Sequence, residues 1–248
     1  MAKKNLELVF DDKIRNSNLQ LRFDDLIKVN AKTENQGQFF AQYRHKPAFL
    51  LHGCAGTGKT FIALYKAIEE VLQKGSIRDN VILVRSAVPS REIGYLPGDQ
   101  DEKTEVYSAP YQSMCSQFFP NKQEPYKRLI DSGYVSFMST SFVRGITLDN
   151  SIVIVDECQN LNDMEINSIM TRVGVNTKII FCGDFRQTDL YKRNDLSGLK
   201  KFMMTIESMP SFSLIEFGVE DIVRSELVRE YIIARLNHEE QYGYSVSS

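Results

Sequence analysis

The sequence predicts an α/β fold whose predominantly parallel sheet is covered by helices on both faces. Six short apolar runs of β type alternate along the chain with segments of helical period. Strands that are apolar on both faces are typical of parallel sheets buried between two helical layers. The chain has 248 residues, 42% of them hydrophobic. A chain of this size can bury a core without disulfides or a structural metal.

The predicted strands are the six apolar runs, and the predicted helices lie between them. The strands span 48–52, 81–86, 134–138, 151–157, 177–183 and 212–217. The helices cover 59–74, part of 105–130, 164–172 and 196–206, followed by a last amphipathic helix over 221–236. Residues 1–30 alternate apolar and charged positions, which indicates short strands or an irregular lead-in. We therefore expect a lead-in over 1–32, one domain over 33–236 and a frayed tail over 237–248.

Charge and cysteine content limit the function classes. The chain carries 30 basic and 32 acidic residues, a formal net charge of −2. This excludes nucleic-acid binding by bulk charge and leaves only a local basic surface for that purpose. The four cysteines form no Cys-x-x-Cys pair, which suits a reducing compartment. The start lacks a signal-peptide core and no apolar run approaches ~18 residues, so we expect a cytoplasmic protein with no membrane partner.

A phosphate-binding pattern follows the first predicted strand. Residues 53–60 are GCAGTGKT, which matches G-x-x-x-x-G-K-[ST] between a buried strand and a helix. The glycines let the backbone wrap phosphates, so that main-chain N–H groups and the helix N-terminus face the anion. Lys59 is predicted to reach the β- and γ-phosphates, and Thr60 to place its hydroxyl on Mg²⁺. The predicted nucleotide-binding residues are Gly53, Cys54, Ala55, Gly56, Thr57, Gly58, Lys59 and Thr60.

Two acidic residues end the predicted strand 151–157. Asp156 is predicted to hold Mg²⁺ through its water shell. Glu157 lies on the opposite side of the pleat and is predicted to polarise the attacking water as a general base. Taken alone, the pair is more typical of a solvated strand end. Beside a phosphate loop, a glutamate here favours water as the acceptor, and therefore an ATPase over a small-molecule kinase.

A candidate sensor follows the strand 177–183. Residues 183–189 are GDFRQTD. A polar amide at the tip of a central strand can hydrogen-bond the γ-phosphate or the attacking water, so Gln187 is predicted to sense hydrolysis. Asp184 would position Gln187 or contact a metal-bound water. An ordinary Gly-Asp turn is the alternative.

In their order, these motifs resemble the PhoH-like family of P-loop ATPases, which is related to superfamily 1 helicases. The resemblance runs from about Thr33 to Val228. Its segments are Asn35-Gln36, GCAGTGKT (53–60), VRSAV (84–88), GYLPGDQDEK (94–103), FVRGIT (142–147), VDECQN (155–160), GDFRQTD (183–189) and DIVRSELV (221–228). The chain departs from the family at Ser86, usually Pro, at Ile146, usually Arg, and at Cys158, usually Ala. Any role that the family's arginine has at the position of Ile146 therefore cannot be assigned to this chain. The compact length is similar to phage-encoded members.

The resemblance implies a single RecA-like domain, three-layer α/β/α, that hydrolyses ATP with Mg²⁺. It implies that Gln36 reads adenine, although a solvated polar residue at a helix start is the alternative. It also implies that Arg144 and Arg224 contact phosphate or a neighbouring subunit, where solvated or ion-paired side chains are the alternative. Tyr95, Leu96 and Pro97, in loop 94–103, would either stack on unpaired bases or pack against the sheet.

We therefore expect an ATPase that acts on single-stranded nucleic acid, RNA rather than DNA, and is helicase-like as an oligomer. Only about sixty residues follow Gln187, too few for a second RecA-like domain. This predicts a homo-oligomer, with a hexameric ring as one form, in which a neighbour supplies Arg224 or Arg144. Arg224 could instead fold back onto its own site. The alternative function is an ATP-dependent switch or assembly scaffold, and a nucleoside or shikimate-type kinase is disfavoured by Glu157.

Overall fold

A computed structural model of the chain describes residues 20–86, 100–186 and 198–242. Each of the six predicted strands is present. They are β1 (Ala48–Gly53), β2 (Asn80–Arg85), β3 (Val135–Ser139), β4 (Ser151–Val155), β5 (Lys178–Gly183) and β6 (Phe212–Phe217). They form one sheet in the order β3-β2-β4-β5-β1-β6, and every neighbouring pair is parallel. The carboxyl ends of all six strands therefore lie at one edge of the sheet.

The described α-helices fill the connections between these strands. They are α1 (Glu34–Gln42), α2 (Lys59–Leu72), α3 (Gln100–Phe118), α4 (Pro125–Asp131), α5 (Thr140–Val143), α6 (Asp163–Met170), α7 (Gly198–Glu207) and α8 (Glu226–Tyr242). Short 3-10 helices occur at Phe23–Asp25, Cys158–Asn160 and Val219–Asp221. Among the described residues, none of the helices combines the length and apolar character needed to span a membrane.

Two apolar clusters lie on opposite faces of the sheet. Phe49 and Leu51 of β1 pack in the cluster that contains residues of α1 to α4, while Leu50 packs in the cluster with residues of α5 to α7. Successive strand residues point to opposite faces, so burial of both sets requires a helical layer on each side. The structure confirms the three-layer α/β/α architecture of a single RecA-like domain. β5 separates β1 from β4, so the tip of β5 lies between the phosphate loop and the two acidic residues.

Several predicted boundaries are wrong. Strand β4 ends at Val155, two residues before the predicted end at Glu157. The last helix begins at Glu226 instead of 221, because Asp221 accepts hydrogen bonds from the Gly218 N–H and the Asn35 side chain and so closes a 3-10 turn. That helix continues to Tyr242, so half of the tail predicted to fray is helical.

The predicted apolar face of the last helix is also not a buried face. Leu227 and Tyr231 are 75% and 64% exposed. In the described part of the lead-in, residues 20–32, a 3-10 helix occurs and no strand, which agrees with the irregular alternative, and Leu21 is buried in the core. Residues 1–19 lie outside the described ranges.

Candidate active site

The loop between β1 and α2 has the backbone of a phosphate cradle. Gly53, Gly56 and Gly58 have φ values of 122°, 75° and 80°, a region that disfavours L side chains. At Gly53 a Cβ would also lie 2.1 Å from the Phe217 carbonyl oxygen of β6, so only glycine fits there. Gly58 is the N-cap of α2, and the positive end of this helix therefore faces the loop interior.

Lys59 is folded back into the loop. Its Nζ donates hydrogen bonds to the Cys54 carbonyl (2.6 Å) and to Thr57 Oγ1 (3.1 Å), and it forms an ion pair with Asp184 Oδ1 at 2.8 Å. The Lys59 side chain is only 4% exposed. Asp184 comes directly after β5, so the neighbouring strand brings a carboxylate to this ammonium group. The sequence analysis did not predict this contact.

Thr60 and Asp156 lie in contact, as the metal prediction requires. The Thr60 hydroxyl donates to Asp156 Oδ1 at 2.7 Å. The other carboxylate oxygen accepts a 2.8 Å hydrogen bond from the hydroxyl of Tyr111, a fully buried residue of α3. Burial, and then the charge of Asp156, raise the pKa of Tyr111 well above its ordinary value, so this hydroxyl stays a donor. Sequence reasoning missed Tyr111, because an aromatic residue on an amphipathic helix is indistinguishable from ordinary core.

Glu157 is oriented by a turn and not by the pleat. Because β4 ends at Val155, the strand alternation used to place Glu157 does not apply, and the residue has a left-handed φ of 53°. Gln159 Nε2 donates to Glu157 Oε2 at 2.5 Å, and Gln159 Oε1 accepts from the Asp184 N–H at 3.1 Å. Burial raises the pKa of Glu157, and the charges of Asp156 and Asp184 raise it further. The sequence analysis included Gln159 in the VDECQN segment but did not predict its contact with Glu157.

Gln36 lies against the phosphate loop. Its amide nitrogen donates to the Thr57 carbonyl at 2.9 Å, and its amide oxygen accepts from the Lys32 N–H at 2.9 Å. The side chain is buried. An amide nitrogen carries two hydrogens, so one remains after the contact with Thr57. Adenine recognition by Gln36 stays a prediction, and support of the loop is what the geometry shows.

The two candidate arginines lie in very different places. Arg224 lies in the turn before α8, and its Cγ is 3.0 Å from where a Cβ on Gly56 would stand. The Val223 N–H also donates to the Gly56 carbonyl at 3.0 Å, so this turn covers the loop of its own chain. Arg144 is exposed after α5, beyond edge strand β3, which is four strand spacings or about 19 Å from β1.

The remaining predicted site residues fall outside the described ranges. Gln187 comes directly after the last described residue of that segment. Tyr95, Leu96 and Pro97 lie between the described ranges 20–86 and 100–186. The sensor and base-stacking roles therefore stay predictions.

Comparison with known protein families tests the resemblance that the order of motifs suggested. The family model described as PhoH-like protein matches residues 28–235. This chain belongs to the PhoH-like family. Among its relatives, the PhoH-like protein of Bacillus subtilis (strain 168) is 34% identical over 236 residues, which cover 94% of this chain and 72% of that protein.

Other PhoH-like relatives are longer than the part they share with this chain. The protein of Synechocystis sp. is 34% identical over 83% of this chain and 62% of its own length. Protein PhoH of Escherichia coli (strain K12) is 31% identical over 85% of this chain and 59% of its own length. The family assignment thus concerns this shared part.

Solved structures are similar at a lower level. The large terminase of a thermophilic bacteriophage has a TM-score of 0.46 and 11% identity over 80% of this chain and 49% of its own. The Walker-type ATPase of Pyrococcus abyssi has a TM-score of 0.32 and 16% identity over 89% of this chain and 60% of its own. The family assignment rests on the sequence matches.

Proposed function

We propose that this PhoH-like chain hydrolyses ATP to ADP and phosphate with Mg²⁺. One observation carries the proposal: three adjacent strands bring a phosphate cradle, a metal-type pair and a candidate base to one edge of the sheet. Lys59 follows β1, Asp184 follows β5, and Asp156 and Glu157 follow β4. In open α/β sheets, ligands bind outside the carboxyl ends of the strands.

The donor set fits a magnesium ion carried by the nucleotide. Mg²⁺ is usually bound by one or two protein oxygens together with substrate phosphates and water, and Thr60 and Asp156 supply two adjacent oxygens of that kind. Within the described part of the chain, no group of three or more His, Cys, Asp or Glu side chains forms a metal cage. When bound, the ion neutralises charge on the phosphates. Tyr111 holds the second oxygen of Asp156, so that the first stays turned toward Thr60.

Glu157 would accept a proton from the attacking water. Its raised pKa makes the carboxylate a stronger base than an exposed glutamate. Gln159 holds one carboxylate oxygen and is itself held by the backbone after β5. On nucleotide binding, the γ-phosphate replaces Asp184 beside Lys59, since both anions compete for one ammonium group.

The test compares ATP turnover and ATP binding in three variants. Lys59→Ala should weaken ATP binding, because the cation facing the phosphates is lost. Glu157→Gln should bind ATP as the parent does and lose turnover by ~10²–10⁴-fold, the usual contribution of a general base. Glu124→Gln, the same change at an exposed glutamate, is the control and should keep parental turnover. Parental turnover in Glu157→Gln would refute the assignment of the base.

We further propose that turnover is coupled to single-stranded nucleic acid, RNA rather than DNA. The support for this coupling is the family resemblance. Poly-U should raise ATPase activity at low salt, and less so as salt rises, because contacts to phosphates release counterions. If neither RNA nor DNA stimulates turnover at low ionic strength, the alternative of an ATP-dependent switch or scaffold is favoured.

We also propose that copies of the chain assemble head to tail. Exposed apolar residues near each end of the proposed contact support this proposal. Phe142, 57% exposed, is two residues from Arg144 beyond β3, whereas Leu227 and Tyr231 are exposed on α8, whose Ile232 lies beside Gly56 of the phosphate loop. Contact between two different surfaces generates rings when the rotation closes. Such a contact would bring Arg144 of one copy toward the phosphate loop of the next.

A further inference from the structure

A second pocket lies at the edge of the sheet opposite the phosphate loop. It has a volume of about 360 Å³ and is formed by the end of α1, the last turns of α2, the loop from α2 to β2 and the first residue of β5. β1 runs for six residues between the two edges, which is roughly 17 Å. The pocket is therefore separate from the nucleotide site, and its occupancy does not depend on the proposed function.

The pocket is strongly basic. Five of its lining side chains are basic and two are acidic, namely Arg44, Lys66, Lys74, Arg78 and Lys178 against Glu69 and Glu70. Lys66 pairs with Glu69, and Arg78 with Glu70. Both carboxylates are thus engaged, and the remaining positive charge comes from the other three basic residues. The chain as a whole has a net charge of −2, so this concentration of positive charge is local.

Lys178 is the buried cation of this group. It is 2% exposed, and its Nζ donates to the Tyr43 and Lys46 carbonyls and lies 3.9 Å from the centre of the Tyr43 ring. Within the described ranges it has no carboxylate in ion-pair contact. Burial lowers the pKa of Lys178 to about 8. Charged lysines are rarely buried without an anionic partner, because desolvation penalises the charged form.

Polar atoms without partners line the same pocket. The Tyr43 hydroxyl, Glu70 Oε2 and Arg78 Nε are buried and have no hydrogen-bond partner among the described residues. Arg78 uses an NH group on Glu70, which leaves half of its planar fork for a second oxyanion. Burial, and then the charge of the neighbouring Glu70 carboxylate, raise the pKa of Tyr43 well above its ordinary value, so the chain itself places a hydroxyl donor beside Glu70. The pocket thus offers unused guanidinium donors of Arg78 to an anion.

We propose that this pocket binds a small phosphorylated molecule, with its phosphate between Arg78 and Lys178. A multiply charged phosphate matches the excess of basic over acidic side chains better than a single carboxylate does. The volume lies at the small end of the range for ligand pockets, which favours a compact molecule over a polymer. Arg44 and Lys74 are exposed at the rim and attract the anion.

Pyrophosphate is the probe for the phosphate part of the site. Titrations by calorimetry use Lys59→Ala protein, in which the phosphate loop is disabled. Adding Arg78→Gln should weaken pyrophosphate binding at least 10-fold, whereas Lys127→Gln, the same loss of charge at an exposed lysine of α4, should change it less than 2-fold. Equal binding by the Arg78 and Lys127 variants, or no binding to the Lys59→Ala parent, would overturn the proposal.

A second set of measurements does not depend on the fold tolerating Arg78→Gln. The double variant Arg44→Gln/Lys74→Gln changes only exposed residues and should also weaken pyrophosphate at least 10-fold. In the parent, pyrophosphate should raise the pKa of Lys178 above about 8, as followed by NMR of its ammonium group. An unchanged pKa would contradict the contact. Binding of single-stranded RNA at this pocket without binding of pyrophosphate would overturn the small-molecule assignment.

Discussion

Gln159 connects the candidate base to the neighbouring strand. Its amide donates to Glu157 and accepts from the backbone N–H of Asp184, so the ends of β4 and β5 are tied by one side chain. A donated hydrogen bond favours the charged carboxylate and lowers its pKa, and here it opposes the effect of burial. Gln159 therefore acts on the reaction through Glu157, as a positioning residue.

This link predicts how the pH profile of the ATPase should change. A base works only when deprotonated, so kcat of the parent should fall toward acid through a pKa above the ordinary glutamate value of 4.5. Gln159→Ala removes the interaction that lowers this pKa, and the acid limb should move to higher pH. Gln123→Ala, at an exposed glutamine, is the control and should leave the limb in place. A limb that moves to lower pH would contradict the assignment.

The raised pKa of Glu157 also makes its contribution to folding stability depend on pH. Because the folded state holds the proton more tightly than the unfolded chain does, this group's contribution is complete below pH 4.5 and is lost as pH rises through the folded pKa. At neutral pH, where Glu157 is ionised, the folded protein is therefore less stable than it would be with this carboxyl group protonated.

Tyr111 gives a second residue-scale prediction. Tyr111→Phe leaves a buried carboxylate oxygen of Asp156 without its donor, which should cost about 1–3 kcal/mol of unfolding free energy. It should also raise the Mg²⁺ concentration needed for half-maximal ATPase activity, because Asp156 is no longer held toward Thr60. Tyr134→Phe loses a half-buried hydrogen bond from Gln20 and serves as the control for urea unfolding and Mg²⁺ titration. An unchanged Mg²⁺ requirement in Tyr111→Phe would refute the role.

At the scale of elements, a comparison of two glycines distinguishes the effect of backbone strain on stability from its effect on nucleotide binding. Gly58 in the phosphate loop and Gly75 after α2 share a φ of 80°. A Cβ on Gly58 would make only ordinary contacts, the nearest at 3.4 Å, and one on Gly75 would meet nothing within 4 Å. Replacement of either by alanine should therefore cost about 1 kcal/mol of stability through the left-handed conformation alone.

Only Gly58→Ala should weaken ATP binding. The strain at this position is relieved by turning peptide groups that face the phosphates, whereas the turn at Gly75 lies at the opposite edge of the sheet. Urea unfolding and nucleotide titration of the two variants measure the two effects separately. Equal ATP affinity in both variants would mean that the loop backbone does not contact the nucleotide.

At the scale of the whole molecule, the positions of the arginines make a prediction about assembly. Arg224 lies on the loop of its own chain, whereas Arg144 lies beyond edge strand β3, which is about 19 Å from β1 across the sheet. Inactive Arg144→Ala mixed with inactive Lys59→Ala should regain ATPase activity, because a Lys59→Ala neighbour still supplies Arg144. The mixture of Arg224→Ala with Lys59→Ala should stay inactive. The opposite pattern, or full activity in a dilute monomer, would exclude this arrangement.

The sequence by itself determined the fold class, the strands and the phosphate loop. Parallel strands buried on both faces are continuous apolar runs, and each run was found within two residues of its observed ends. The phosphate loop was equally predictable, because its shape requires positive φ values and glycine is the residue that adopts them readily. The family assignment followed from the order of motifs and is confirmed by the match over 28–235.

The tertiary structure alone decided which side chains meet. Tyr111 reaches Asp156 from 45 positions away, and Asp184 reaches Lys59 from the neighbouring strand, contacts that no local pattern encodes. At 221, where the last helix was predicted to begin, Asp221 instead ends a 3-10 turn and accepts a hydrogen bond from Asn35, 186 positions away. The helical period shows which residues are apolar but not whether another element packs against them. The exposure of Leu227 and Tyr231 could therefore be seen only in the tertiary structure.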